Sequence, residues 1–310
     1  MKTRMLALVT VVIVFSAVVI VGCRDTSDVK KKVGTSEIKK VLEQGARASG
    51  KGDFDLAISC FSEAIRLNPK HAPAYCLRGL SYAQKGEPDK AIADYTEAIL
   101  LNPKDAEAYF GRGMSYDSKG ELDKAIADYT ETIRLDPNDA SAYSCRGVSY
   151  AQKNEYDKAI ADYTEAIRLN PKDAAAYQYR GRSYVRKGEE ERARADFSEA
   201  IRLDPKHAAA YFARGLSYAQ NGEPDKAIAD YTEAIRLNPK DAQAYVGRGT
   251  SYAANRDYDK AIADCTEAIR LDPKDASAYK IRGVSYEEKG KKGNARADFA
   301  EAERLGWREK

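Results

Sequence analysis

The phrase AIADYTEAI stands at residues 91–99 and returns unchanged at 159–167 and 227–235, with the near-copies AIADYTETI at 125–133 and AIADCTEAI at 261–269. The starts differ by 34 residues or by twice 34. A fixed period of this size constrains the fold more than any other property, because units of roughly 20–50 residues bury their apolar faces only against one another. The length of 310 residues therefore carries no expectation of two globular cores. Pro69, Pro103, Pro137, Pro171, Pro205, Pro239 and Pro273 fix the register. Counting back from them gives eight units, at 38–71, 72–105, 106–139, 140–173, 174–207, 208–241, 242–275 and 276–309.

Within the second unit, Tyr75, Gly79 and Tyr82 share one helical face over 72–85. Ala91, Ile92, Tyr95, Ala98 and Ile99 form a second stripe over 88–101. The intervening GEPD, with Pro88 suited to a first helical turn, and the terminating Asn102-Pro103 predict a helix hairpin. Arg78 and Asp94 flank the two stripes, and seven units carry the same two residues: Arg78/Asp94, Arg112/Asp128, Arg146/Asp162, Arg180/Asp196, Arg214/Asp230, Arg248/Asp264 and Arg282/Asp298. The first unit has Gln44 and Cys60 instead. Joint presence and joint loss predict an ion pair between the two helices of a hairpin, with a structural role for the aspartate.

The pattern Tyr75-x2-Arg78-Gly79-x2-Tyr82, Ala91-x3-Tyr95, Pro103 resembles the tetratricopeptide repeat, over residues 38–309. The resemblance implies an all-α, right-handed superhelical α-solenoid of eight helix-turn-helix units. It also implies a concave groove lined by the first helix of each hairpin, which takes a protein or peptide ligand. On that basis the candidate groove residues are Leu80, Phe110, Met114 and Val148, then Gln178, Arg182, Arg186, Phe212, Leu216 and Val246. Ser144, Gln152, Gln220 and Val284 lie beside them. The asparagine of the family's carboxylate clamp is missing: Leu77, Gly111, Cys145, Tyr179, Ala213, Gly247 or Ile281 occupies its position.

Composition narrows the function. With 51 basic and 48 acidic residues, the net charge of +3 supplies no single-sign field for nucleic acid. Of 21 tyrosines, 18 recur at three fixed places in the repeat and are expected in the core. Cys60, Cys76, Cys145 and Cys265 occupy four different repeat positions, which suits small packing residues and no disulfide framework or metal site. His71 and His207 stand 136 residues apart, in turns where other units have aspartate. No nucleophile elbow, phosphate loop or zinc motif is present, so the expectation is a non-enzyme without cofactor or metal.

The N-terminus reads separately. Lys2 and Arg4 precede the mostly apolar run 5–21, followed by Gly22 and Cys23, the arrangement of a secretory signal. Ile20-Val21-Gly22-Cys23 resembles the lipobox of bacterial lipoproteins. That implies a signal peptide at 1–22, a lipidated Cys23 and a membrane-anchored chain in the bacterial cell envelope. Arg24 after the cysteine favours the outer over the inner membrane; an uncleaved N-terminal anchor is the alternative. Residues 23–37 read as the lipidated cysteine and a flexible tether.

Other internal matches, such as GLSYAQKGEPDKAIADYTEAI at 79–99 against GLSYAQNGEPDKAIADYTEAI at 215–235, predict a duplicated four-unit block, 38–173 and 174–309. Arg296 and Glu303 replace isoleucines in the last unit, giving that hairpin a polar outer face. Two function classes fit. One is an envelope-tethered scaffold, an adaptor holding a protein or peptide during assembly of an envelope complex. The other is a structural envelope component acting by self-association or cell-wall contact.

Overall fold

The structure, a computed structural model, describes residues 29–308, so the signal at 1–22 and Cys23 lie outside the described residues. Sixteen α-helices and no strands occur among the described residues, the all-α repeat that the period predicts. They form two compact units, one ending at Ser149 and one beginning at Tyr150. In the first unit, α1 (Val29–Gly50) pairs with α2 (Phe54–Leu67), α3 (Ala72–Lys85) with α4 (Pro88–Leu101), and α5 (Ala106–Ser118) with α6 (Leu122–Leu135). The helix α7 (Ala140–Gln152) contains the boundary, and α8 (Tyr156–Leu169) belongs to the second unit. There, α9 (Ala174–Lys187) pairs with α10 (Glu190–Leu203), α11 (Ala208–Gln220) with α12 (Pro224–Leu237), α13 (Ala242–Ala254) with α14 (Tyr258–Leu271), and α15 (Ala276–Glu288) with α16 (Lys292–Arg304).

The two blocks adjoin at 173/174 with α8 packed directly on α9. One expectation changes. The first helix begins at Val29, so residues 29–37 are helical where a tether was expected. Once α1 is nucleated by its packed segment from Ile38 onward, each added residue gains one hydrogen bond, and the helix propagates back through Glu37 and the lysines.

Local chemistry sets the helix ends. Gly86 closes α3 with φ 82°, and its left-handed geometry favours a residue without Cβ. Asp105 opens α5 by accepting a hydrogen bond from the Ala108 amide at 3.2 Å. At the same position His71 opens α3, with Nδ1 accepting from the Ala74 amide at 3.1 Å.

The repeated arginine does more than pair within its hairpin. In the six pairs other than Arg146/Asp162, the guanidinium grips the aspartate through two hydrogen bonds; Arg214 donates from Nε and Nη2 to Asp230, both at 2.8 Å. Its remaining nitrogen reaches back to the second helix of the preceding hairpin: Arg78 to Ser62 Oγ, Arg112 to Thr96 Oγ1, Arg214 to Ser198 Oγ. The same arginine lies over the tyrosine three residues before it, as Arg214 does over Tyr211 at 5.9 Å. Each arginine thus ties two hairpins together, and the aspartates it holds are buried. The hydrogen bonds that Arg214 donates to Asp230 raise the pKa of the guanidinium above its ordinary value.

This geometry explains a residue of the first unit, which lacks the arginine and aspartate yet keeps Ser62, which serves Arg78. The eighth unit carries Ala300 where the others have a hydroxyl. Arg296 and Glu303 there are exposed, and Lys280 lies over the Trp307 ring at 5.1 Å.

Rings fill the spaces between helices. Tyr95, Tyr129, Tyr163, Tyr231, Phe61 and Phe197 of the second helices are buried. A Cβ added at Gly247 would lie 2.6 Å from the Tyr231 ring, so the glycine is needed for close approach. The tyrosines of the first helices are only half-buried and serve as platforms for cations, as Tyr82 does for Lys90 at 5.3 Å. The expected core role therefore holds fully on the second helices and in part on the first, where Tyr75, Tyr82 and Tyr109 pack against the core with one side left open.

Candidate functional site

Within each unit, first helices of successive hairpins (α1 and α3, α3 and α5, α9 and α11, α11 and α13, α13 and α15) approach each other more closely than the second helices do. A row of hairpins joined more tightly along one side curves with that side inward. The first helices therefore line the inner face of each unit, as the resemblance implied.

The candidate residues on this face divide by position along the helix. Phe110, Gln178, Phe212 and Val246 share one repeat position, and it is a packing position. Gln178 is only 6% exposed and Val246 only 8%, which removes both from a ligand surface. Phe110 and Phe212 are half-buried against Tyr129 and Tyr231, with ring centroids 5.7 and 5.6 Å apart. One turn further on, Leu80, Met114 and Val148 are half-buried, while Arg182 and Leu216 are exposed. Arg186, another turn beyond Arg182, is exposed too. In the second unit the accessible strip is therefore Arg182, Arg186, Leu216 (40% exposed) and Gln220, with Val284 at 37% on α15. Thr250, which the sequence reading passed over, is exposed at the same position on α13. Its repeat spacing of 34 from Leu216 was the signal that could have found it.

The framework beneath this strip is nearly constant, since each first helix of the second unit from α9 onward carries the same arginine, glycine and two tyrosines. The strip itself changes from Arg182 to Leu216 to Thr250 to Val284 across successive hairpins. The support is thus nearly uniform, and the chemistry it presents differs from hairpin to hairpin.

Cys76 and Cys265 do not offer reactive thiolates. Cys60, Cys76, Cys145 and Cys265 are free thiols. Burial pushes the Cys265 thiol up to about 12 and also raises Cys76, whose Sγ lies 3.7 Å from Asp105 Oδ2. A nucleophilic cysteine needs the opposite shift. Among the described residues no group of three or more His, Cys, Asp or Glu side chains is placed to hold a metal ion, and no helix is long and apolar enough to cross a membrane.

Models of the tetratricopeptide repeat match residues 42–99, 76–140, 140–173, 162–195, 179–242, 212–276 and 246–309. No curated protein matches. Among solved structures, a tetratricopeptide repeat protein from Parabacteroides merdae is 23% identical, with TM-score 0.61, over 81% of this chain and 99% of that one. MamA is 31% identical, with TM-score 0.50, over 53% of this chain and 96% of that one. YrrB, described as a TPR protein with an unusual peptide-binding site, is 25% identical, with TM-score 0.52, over 59% of this chain and 95% of its own.

Proposed function

Since the chain belongs to the tetratricopeptide repeat family, whose fold is a scaffold for protein–protein interaction, we propose that it is a non-catalytic adaptor that holds a protein or peptide on its inner face. The observation that carries this reading is the variable strip Arg182, Leu216, Thr250 and Val284 standing on a nearly constant framework. Likeness to YrrB, a structure described by its peptide-binding site, supports it. The adaptor acts at the bacterial cell envelope, held there by a lipid on Cys23 after removal of residues 1–22. The support for this is the charged start, apolar run and Ile20-Val21-Gly22-Cys23 of the sequence.

Site-specific photocrosslinking in native envelopes tests the adaptor role. A photoreactive residue at Leu216 is expected to yield one dominant heterologous adduct, and one at the exposed Ala229 of α12 to yield none. Adducts only with a second copy of the chain replace the adaptor with a self-associating structural component. Intact mass of the envelope protein tests the anchor: a chain beginning at an acylated Cys23 is expected, and retention of residues 1–22 overturns it.

A further inference from the structure

The inner face of the second unit from α9 to α13 has a charge property that the near-neutral chain does not foreshadow; α15 beyond it carries Glu287 and Glu288. The helices α9, α11 and α13 contain no aspartate or glutamate. They carry six cations: Arg180, Arg182, Arg186, Lys187, Arg214 and Arg248. Four of these are neutralised within the fold. Arg180, Arg214 and Arg248 hold Asp196, Asp230 and Asp264, and Lys187 bridges Asp157 at 2.5 Å and Glu189 at 2.9 Å. Arg182 and Arg186 remain. Both are exposed, and neither has an ion-pair or hydrogen-bond partner among the described residues. In the same repeat position as Arg182, the other first helices of this unit from α11 onward place Leu216, Thr250 and Val284, so no structural need of the hairpin calls for a cation there.

The two arginines are four residues apart on one helix, so their stems are displaced by about 6 Å along its axis. Their neighbour across the face is α11, which contacts α9 and presents the exposed Leu216, with Phe212 one turn before it. An extended peptide laid between α9 and α11 sends alternate side chains to opposite sides, and residues two apart on one side are separated by about 6.6 Å. That repeat matches the rise between Arg182 and Arg186, while the residue between them points toward Leu216.

Building on the adaptor reading, we infer that the partner enters this face as an extended acidic segment of the pattern acid–apolar–acid. Its two carboxylates are held by Arg182 and Arg186, and its central side chain lies on Leu216. Arginine suits this task because its planar fork takes a carboxylate through two parallel hydrogen bonds. Charge complementarity selects the occupant, since neutral or basic segments leave both guanidinium groups without a counter-charge.

The test uses the full chain in detergent and fluorescent peptides of sequence Gly-Asp-Leu-Asp-Gly, Gly-Asn-Leu-Asn-Gly and Gly-Asp-Gly-Asp-Gly, followed by anisotropy. The first is expected to bind at least tenfold more tightly than the second, to exceed the third, and to weaken as salt rises. R182A/R186A is expected to lose tenfold or more for the first peptide, and R182K/R186K to lose less. Both positions are exposed, and an unchanged thermal transition in each variant excludes misfolding as the cause. Equal binding of the acidic and amide peptides, unchanged affinity in R182A/R186A, or no binding of any probe at millimolar concentration overturns the inference. Photocrosslinking at Leu216 separates this failure from that of the adaptor reading. Heterologous adducts that persist in R182A/R186A leave the adaptor standing and remove the acid-binding site.

Discussion

Two regions of the second unit, carried on the same first helices, obey opposite rules. The seam between hairpins repeats itself: Arg214 on Asp230 and Ser198 is rebuilt as Arg248 on Asp264 and Thr232, and again as Arg282 on Asp298 and Thr266. The inner strip above it never repeats, passing from Arg182 to Leu216 to Thr250 to Val284. The aspartates of the seam are buried and every polar group in the arginine tie has a partner, so most changes there cost stability. The strip faces solvent and its residues are interchangeable for folding, so it can be altered for binding alone. Repetition in such a chain marks what holds the fold, and departure from repetition marks what the fold presents.

The largest effect that tests this contrast is expected at Asp230. Asp230→Ala leaves the half-buried Arg214 fork without its counter-charge and is expected to destabilise the second unit by about 3–5 kcal/mol in urea unfolding. Gln44→Ala, at the place in the first hairpin that the arginine takes in the others, is expected to cost no more than about 0.5 kcal/mol, since Gln44 is exposed there. Equal costs at the two sites would break the distinction between seam and surface.

Gly247→Ala comes next. The added methyl meets the Tyr231 ring at 2.6 Å, so about 1–3 kcal/mol of overpacking is expected. Combining it with Tyr231→Leu is expected to recover part of that loss, and additive costs would remove the steric explanation.

A smaller effect, on the order of 1 kcal/mol, belongs to the helix cap at His71. Burial lowers the pKa of His71, and its neutral Nδ1 accepts from the Ala74 amide. A histidine with a folded pKa below its unfolded value contributes stability that is present above the unfolded pKa and lost as pH falls through the folded one. Thermal unfolding from pH 8 to about pH 5 is expected to show this loss, and His71→Asp, the residue of most other units, to show less of it. Identical pH profiles would detach the cap from the titration.

R182A/R186A is expected to have the smallest effect on stability, within about 0.5 kcal/mol, since both side chains are exposed and unpaired. A larger loss would move these arginines from the strip to the seam.

Much of the fold was legible because a repeat states its own boundaries. The spans read from the tyrosine, alanine and proline spacing, 72–85 and 88–101, coincide with α3 and α4. Joint loss of arginine and aspartate in the first unit announced the ion pair. The third partner was equally written, as a hydroxyl 16 residues before each arginine, but the pair drew attention away from it. The site was less legible. A helical wheel places Gln178 and Val246 on the same face as Arg182 and Leu216, and only depth separates them.

The sequence by itself determined the period, the hairpin, the two ends of every helix from α3 to α15 to within a turn, and the identity of the paired charges. These follow from local chemistry: glycine and proline fix backbone angles, and apolar spacing fixes which face turns inward. Tertiary structure decided which residues of that face remain accessible, because the depth of Gln178 depends on the hairpins packed on either side of it and not on its own helix. It also decided that Lys187 is spent on Asp157, thirty residues before it, while Arg182 and Arg186 stay exposed and without an ion pair among the described residues.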